Sequence, residues 1–189
     1  MTLFETERIE QAVASIIEAI GEDPEREGLQ GTPQRVAEMY RELFSGVHRD
    51  PREELTVSFD EGHHEMVVLK DIPFYSLCEH HFLPFYGVVH IGYVPNGRVT
   101  GVSKLARLVE VLASRPQLQE RLTTLIADTI MEVLKPQGVG VVIQAEHLCM
   151  TMRGIKKPGS NFITSANRGT FRRFAMTRAE FLSLIQNKQ

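Results

Sequence analysis

Several common signatures are missing from this sequence, and each absence closes off a class of protein. Only two cysteines, Cys78 and Cys149, occur among the 189 residues. That is too few for a disulfide framework and fits a reducing compartment. No apolar run approaches the ~20 residues that a membrane span needs, so no membrane association is expected. Met1–Glu7 lacks a basic stretch leading into an apolar one, so no signal peptide is expected either and the chain reads as cytoplasmic. Positive charge is not in excess: 21 Lys and Arg face 24 Asp and Glu, for a net charge of −3. Nucleic acid is therefore not an expected partner, and any anionic ligand must be met by a local cluster of cations. Neither a P-loop nor a Rossmann glycine loop is present. There is no internal repeat and no low-complexity tract.

What is there has ordinary soluble composition, with 42% hydrophobic and 24% charged residues. The length suffices for one domain with a sizeable core, residues 49–189, preceded by a helical segment over 1–48. Ile9, Val13, Ile16, Ile17 and Ile20 recur at helical spacing, and Gly21 and Pro24 stop that helix. A second helix starts at Thr32 as N-cap with Pro33 at its first position, and Val36, Met39, Tyr40 and Leu43 form its buried face. After a charged linker (Arg49 to Glu54), Leu55–Phe59 reads as a strand, and Asp60–His64 as a polar turn whose His63-His64 pair is solvated. Met66–Phe74 and Gly87–Val94 are strands, the latter closed by Pro95-Asn96-Gly97. His90 in this strand is read as a structural histidine. Ser103 caps a helix carrying Leu105, Leu108, Val109 and Leu112, which Pro116 ends. A further helix carries Leu118, Leu122, Leu125, Ile126, Ile130 and Val133. Val139–His147 is a strand, Met152–Asn161 a basic turn, and Ile163–Phe174 extended. Thr177-Arg178-Ala179-Glu180 reads as a capping box opening a C-terminal helix. Strands and helices in runs argue for an α+β fold with an antiparallel sheet.

The chemistry concentrates in Ser76-Leu77-Cys78-Glu79-His80-His81-Phe82-Leu83-Pro84. Cys78 and His81 stand as C-x-x-H, so one tight turn can aim both at a single point. The other cysteine lies in Glu146-His147-Leu148-Cys149, again beside a histidine. On an extended strand, residues two apart share a face, so His147 and Cys149 are expected to point the same way. Cys78, His81 and Cys149 give three ligands for a zinc ion. A catalytic zinc keeps its fourth position for water, whereas a structural one would be closed by a fourth protein ligand. His80 and His147 are both available for that fourth place.

Taken together, Cys78-Glu79-His80-His81, Pro84-Phe85-Tyr86-Gly87, His90-Ile91-Gly92-Tyr93-Val94-Pro95, Val102-Ser103-Lys104-Leu105-Ala106-Arg107, Arg115 to Thr123 and Glu146 to Gly154 resemble the GTP cyclohydrolase I family. The likeness runs from about Thr32 to Phe181. Val102 stands where the family often has Leu, and the long regulatory extension of some animal members is not expected here. The resemblance implies a T-fold subunit, an antiparallel sheet layered with two antiparallel helices, assembled as a homodecamer with active sites at subunit interfaces. It implies one Zn2+ per subunit on Cys78, His81 and Cys149, and GTP as substrate. The implied reaction converts GTP and water to 7,8-dihydroneopterin triphosphate and formate, on the way to folate or tetrahydrobiopterin.

By position, the resemblance makes His80 and His147 the acid/base histidines and Glu120 the guanine-binding carboxylate. Lys104, Arg107 and Arg153 become cations for the triphosphate, as does Arg35, and Ser103 and Gln119 pocket residues, Ser103 moving a ribose proton. From pattern alone, Glu120 is read as a first-turn charge favoured by the helix dipole, with no other role. Two rival readings stand beside this one. One is a non-enzymatic zinc module. The other is a reductase of the same fold acting on a nitrile-bearing deazaguanine, which needs a nucleophilic cysteine and a nicotinamide cofactor.

Overall fold

Helical spacing of apolar residues does give two N-terminal helices, α1 (Thr6–Ala19) and α2 (Thr32–Leu43). In the computed structural model, which describes residues 4–186, they form one of two compact units, divided between Ser45 and Gly46. Ile17 and Ala37 are the buried residues of this pair, while Ile16, Ile20 and Met39 face outward. The Arg41 guanidinium donates to Thr6 Oγ1, tying one helix to the other. The cap of α2 is Gly31, not Thr32, whose hydroxyl donates to the Gly28 carbonyl instead.

The second unit is built on a five-stranded sheet of order β5-β2-β3-β6-β7. Its long strands are β2 (Val67–Cys78), β3 (Pro84–Val94), β6 (Gly138–His147) and β7 (Phe162–Gly169), all paired antiparallel. The two-residue β5 (Pro116–Gln117) runs parallel to β2 and places Gln117 beside Cys78. A separate ribbon pairs β1 (Ser58–His63) with β4 (Gly97–Thr100). The stretch expected as a turn at Asp60–His64 is thus mostly strand. Its partner β4 supplies the pairing, which local composition cannot announce. The charged linker likewise holds a 3-10 turn, Pro51–Leu55, opened by the Asp50 carboxylate accepting from the Arg52 N–H.

Two consecutive helices, α3 (Val102–Ala113) and α4 (Gln119–Leu134), cover one face of the sheet. Leu105, Leu108, Val109 and Leu112 from α3 and Leu122, Ile126 and Ile130 from α4 are buried. They pack with Phe74, Phe85, Val89, Ile91, Val141 and Ile143 in one core. This α+β layering is the one the pattern predicts. Gly101, not Ser103, occupies the cap of α3, so Ser103 lies inside the helix. At the other end of α3, Ser76 Oγ donates to the Ala113 carbonyl (2.8 Å) and Gln117 Nε2 to the Leu112 carbonyl (2.9 Å). Terminal carbonyls that lack a helical partner are thereby satisfied. They also bind the C-terminal end of α3 to the strand that carries Cys78.

The opposite face meets α6 (Thr170–Arg173) and α7 (Ala175–Gln186). Thr177 lies within α7, so the expected capping box does not open that helix. Gly92 and Gly140 are paired across β3 and β6. On this bare patch rest Phe171 and Phe181, edge to face with centroids 5.5 Å apart. A methyl group at position 140 would stand 2.4 Å from Phe171 Cδ1, and one at position 92 would stand 2.7 Å from Phe181 Cδ2.

In β2 the register shifts between Leu69 and Ile72, and Asp71 adopts φ +58°. The Asp71 N–H, lost to the ladder there, donates to His90 Nδ1 at 3.1 Å. His90 is therefore held neutral by an acceptor role, and burial lowers its pKa, with Asp71 opposing and Lys70 assisting.

Gly140→Ala should cost about 1–3 kcal/mol by overpacking, read from urea unfolding at fixed subunit concentration. An unchanged midpoint would show that the two phenylalanines move aside freely. For His90, the unfolded chain holds more protons than the native one between the depressed folded pKa and the ordinary value of about 6.5. Its contribution is complete above that ordinary value and is lost progressively as pH falls from there through the depressed folded pKa. Unfolding free energy followed from pH 7.5 to 5.5 should therefore drop less steeply in His90→Gln than in the parent, and parallel curves would deny His90 this part.

Candidate functional site

A tight turn between β2 and β3 brings the first half of the site together. The Cys78 carbonyl accepts from both the His81 N–H (3.3 Å) and the Phe82 N–H (2.8 Å), and the Cys78 N–H donates to Leu83 (2.9 Å). Phe82 takes φ +53° to close it, a conformation that a bulky residue adopts only under constraint. Cys78 is buried, while His80 and His81 are exposed.

The second half comes from β6 by a route that alternation does not anticipate. The strand ends at His147, and the chain turns into the short helix α5 (Leu148–Thr151), which carries Cys149. Cys149 thus reaches the site by curling, not by sharing a strand face with His147. One ligand atom each from Cys78, His81 and Cys149 lie within 4.8 Å of one another.

These residues fit a zinc ion by their chemistry. Thiolate and imidazole are its preferred donors, and bonds of about 2.0–2.3 Å in a tetrahedron require only modest closure of the set. Burial pushes the Cys149 thiol up, the Cys78 sulfur adds to this, and Arg153 works against it. Two neighbouring sulfurs resist joint ionisation, and a divalent cation removes that resistance. The Arg153 guanidinium also reaches His81 Nε2 at 3.3 Å.

His147 is set in a different environment. Its ring stacks on Phe85 at 4.6 Å with planes 7° apart and meets Phe162 edge to face. Phe85 and His147 are direct partners across β3 and β6. Burial lowers the His147 pKa, and Glu120 opposes this, the net direction favouring the uncharged ring. Its Nε2 lies 2.8 Å from Gln119 Oε1.

A cleft of about 180 Å³ is lined by Cys78, His80, Gln119, Glu120, His147 and Cys149, among others. Gln117 also lines it, and Gln117 Oε1 is buried without a hydrogen-bond partner among the described residues. Glu120 is exposed at the start of α4, whereas Gln119 is buried. Ser103, Lys104 and Arg107 are not among this lining. Ser103 and Lys104 stand in the first turn of α3 and Arg107 near its middle, while its C-terminal end is the one fixed to Ser76. Ten residues of helix separate Ser103 from Ala113 by about 15 Å. Arg35 lies in the N-terminal unit, where its guanidinium donates to Thr32 Oγ1 (3.2 Å).

Sequence reasoning missed one contact that shapes this site. Arg121 grips Glu79 through both carboxylate oxygens (2.5 and 3.1 Å). That grip holds the Glu79 carboxyl below the usual carboxylate range and joins the cysteine turn to the start of α4. An arginine in the first turn of a helix opposes the dipole, and this was the signal that it answers to a carboxylate elsewhere.

Similarity to known proteins shows the family. The family model described as GTP cyclohydrolase I matches residues 9–186. A protein named GTP cyclohydrolase 1 from Dehalococcoides mccartyi is 65% identical over 98% of this chain and 100% of its own length. Proteins of that name from Pelotomaculum thermopropionicum and Bacillus cytotoxicus are 63% and 59% identical, over 98% and 100% of this chain and the whole of each relative. A solved structure, the archaeosine synthase QueF-Like in the apo form, is similar over 55% of this chain and 93% of its own, with 21% identity and a TM-score of 0.44. No helix among the described residues is long and apolar enough to cross a membrane. With a family match over nearly its whole length and relatives sharing well over half its residues, the chain belongs to the GTP cyclohydrolase I family of enzymes.

Proposed function

We propose that this chain opens the guanine imidazole ring of GTP by zinc-dependent hydrolysis at C8, releasing formate and reclosing the product to 7,8-dihydroneopterin triphosphate. The observation that carries this reading is one small cleft lined by the two cysteines of a Cys/His/Cys donor set, by the half-buried His147 and by the exposed Glu120 carboxylate. Cys78, His81 and Cys149 would hold one zinc ion per subunit. When bound, such an ion supplies Lewis-acid activation of water near neutral pH. His147 moves a proton at N7 of the base, which makes C8 more electrophilic, and His80 serves as a second acid/base group. Glu120 offers two acceptors to the guanine N1–H and 2-amino group, a pair of donors that adenine lacks. With both cysteines drawn into the donor set, neither is left as the lone nucleophile that a nitrile reductase needs.

Lys104, Arg107, Arg153 and Arg35 are the cations we assign to the triphosphate, and Ser103 the group that moves a ribose proton. The reading takes residues 49–189 as the catalytic domain and 1–48 as its helical appendage. It places the enzyme in the cytoplasm, feeding folate or other pterin biosynthesis.

The same reading includes assembly of the chain, as a decamer, with each site shared between subunits. Three observations support assembly and sharing. A cleft of about 180 Å³ falls below the ~300 Å³ at which sites for drug-sized ligands begin. Lys104 sits in the first turn of α3, at the end of that helix remote from the Ala113 carbonyl held by Ser76, and neither it nor Arg107 lines the cleft. The open edge strand β7 also exposes Phe162 and Ile163, and such edges call for cover.

Incubation with GTP followed by oxidation should yield a fluorescent pterin. Cys149→Ala should lose both metal and turnover, while Glu120→Ala keeps about one metal per chain and loses GTP turnover. Full activity in thoroughly chelated protein would sink the metal assignment, and unchanged GTP affinity and turnover in Glu120→Ala would leave that residue a helix-start charge.

For the shared site, Cys149→Ala and Lys104→Ala are dissociated, mixed equally and reassembled. If metal and Lys104 come from different chains, about a quarter of sites regain both wild-type contributions under random assembly. Activity no greater than the mean of the two separate variants, with mixing verified by mass, would refute sharing.

A further inference from the structure

We propose that Gln119 is a positioning residue whose amide fixes His147 in the tautomer protonated at Nε2. His147 Nδ1 is then the nitrogen that exchanges a proton with substrate. This rests on the reading of His147 as a proton-transfer group. It gives Gln119, expected as a pocket residue, a part played behind the imidazole.

The neighbours of the Gln119 amide distinguish its two ends. Gln119 Nε2 lies 3.2 Å from the Ile143 carbonyl, 3.0 Å from the Phe162 carbonyl and 3.1 Å from Thr164 Oγ1. Two of these three neighbours are carbonyl oxygens, which only accept, so the NH2 end must face them. The hydroxyls complete a consistent direction. Thr123 Oγ1 donates to the Gln119 backbone carbonyl at 2.7 Å and lies 2.7 Å from Thr164 Oγ1. Thr123 has one hydrogen and has used it, so Thr164 donates to Thr123 and keeps a lone pair for the Gln119 amide. Every donor in this chain is thus assigned without a free choice.

The other end of the amide is then an acceptor, and His147 Nε2 stands 2.8 Å from it. Two acceptors cannot share that distance, so Nε2 carries the hydrogen. The ring has little freedom to turn away, stacked on Phe85 and edged by Phe162. Gln119 has nothing left to offer a ligand: it is 1% exposed, and its two amide hydrogens already face three acceptors. Its neighbour Glu120, exposed one residue further along, is the side chain free to meet a base.

Solid-state NMR of the full-length protein labelled with 15N-histidine tests this, with His147 assigned by the signals lost in His147→Asn. At neutral pH, in metal-loaded and chelated protein alike, Nε2 should be the protonated nitrogen and Nδ1 the bare one. In Gln119→Leu the Nδ1–H form should appear. There kcat should fall by about 10²-fold or more, with KM for GTP and metal per chain little changed. A protonated Nδ1 in the wild-type spectrum overturns the proposal, and needs no variant to fold. So does an unchanged His147 spectrum in Gln119→Leu, or a raised KM with kcat intact. Failure of the wild-type protein to turn over GTP would instead sink the functional reading and leave the tautomer assignment standing.

Discussion

The register between β3 and β6 is the constraint on which the chemistry of this chain depends. Phe85 stands directly opposite His147. The cysteine turn runs straight into the start of β3, and α5 leaves straight from the end of β6. One alignment of two strands therefore sets Cys78 and His81 beside Cys149, although some seventy residues of chain lie between them. A slip of one residue would turn His147 to the other face of the sheet and move its ring off Phe85. Buried contacts make that slip costly, because Val89, Ile91, Val141 and Ile143 belong to the same pair of strands and are fully covered.

Around this register the helices act as clamps on the site as well as walls of the core. The last turn of α3 is held by Ser76 and Gln117, and the first turn of α4 by Glu79 through Arg121. The parallel pairing of Cys78 with Gln117 lies between those two clamps. Core packing and site geometry are thus supplied by the same short link between α3 and α4, which explains why so few residues separate the hydrophobic centre from the polar cleft.

Much of this was legible in the sequence, for physical reasons that particular residues illustrate. The spacing of Leu105, Leu108, Val109 and Leu112 announces α3, because burial of one helix face leaves a 3.6-residue imprint. Cys78, His81 and Cys149 announce themselves by donor chemistry alone. What stayed hidden depends on distant partners or on competition between neighbouring caps. Gly31 and Gly101 took the cap positions expected of Thr32 and Ser103. The extension of β1 to His63 needs β4, and the curl that delivers Cys149 breaks an alternation that is only a statement about strands. The Gln119 amide gives no sequence signal, since its four partners lie on β6 and β7 and are assembled only by the fold.

The adjacency of Gln119 and Glu120 has a mechanical side. On the proposed roles, one residue grips the base and the next aims the ring that serves it, with a single peptide unit between them. The two differ in what they are free to do: the Gln119 amide is spent on β6 and β7, while the Glu120 carboxylate faces outward. A base held by Glu120 would thus meet an imidazole whose line was set before it arrived, so seating the base need not also organise the proton path.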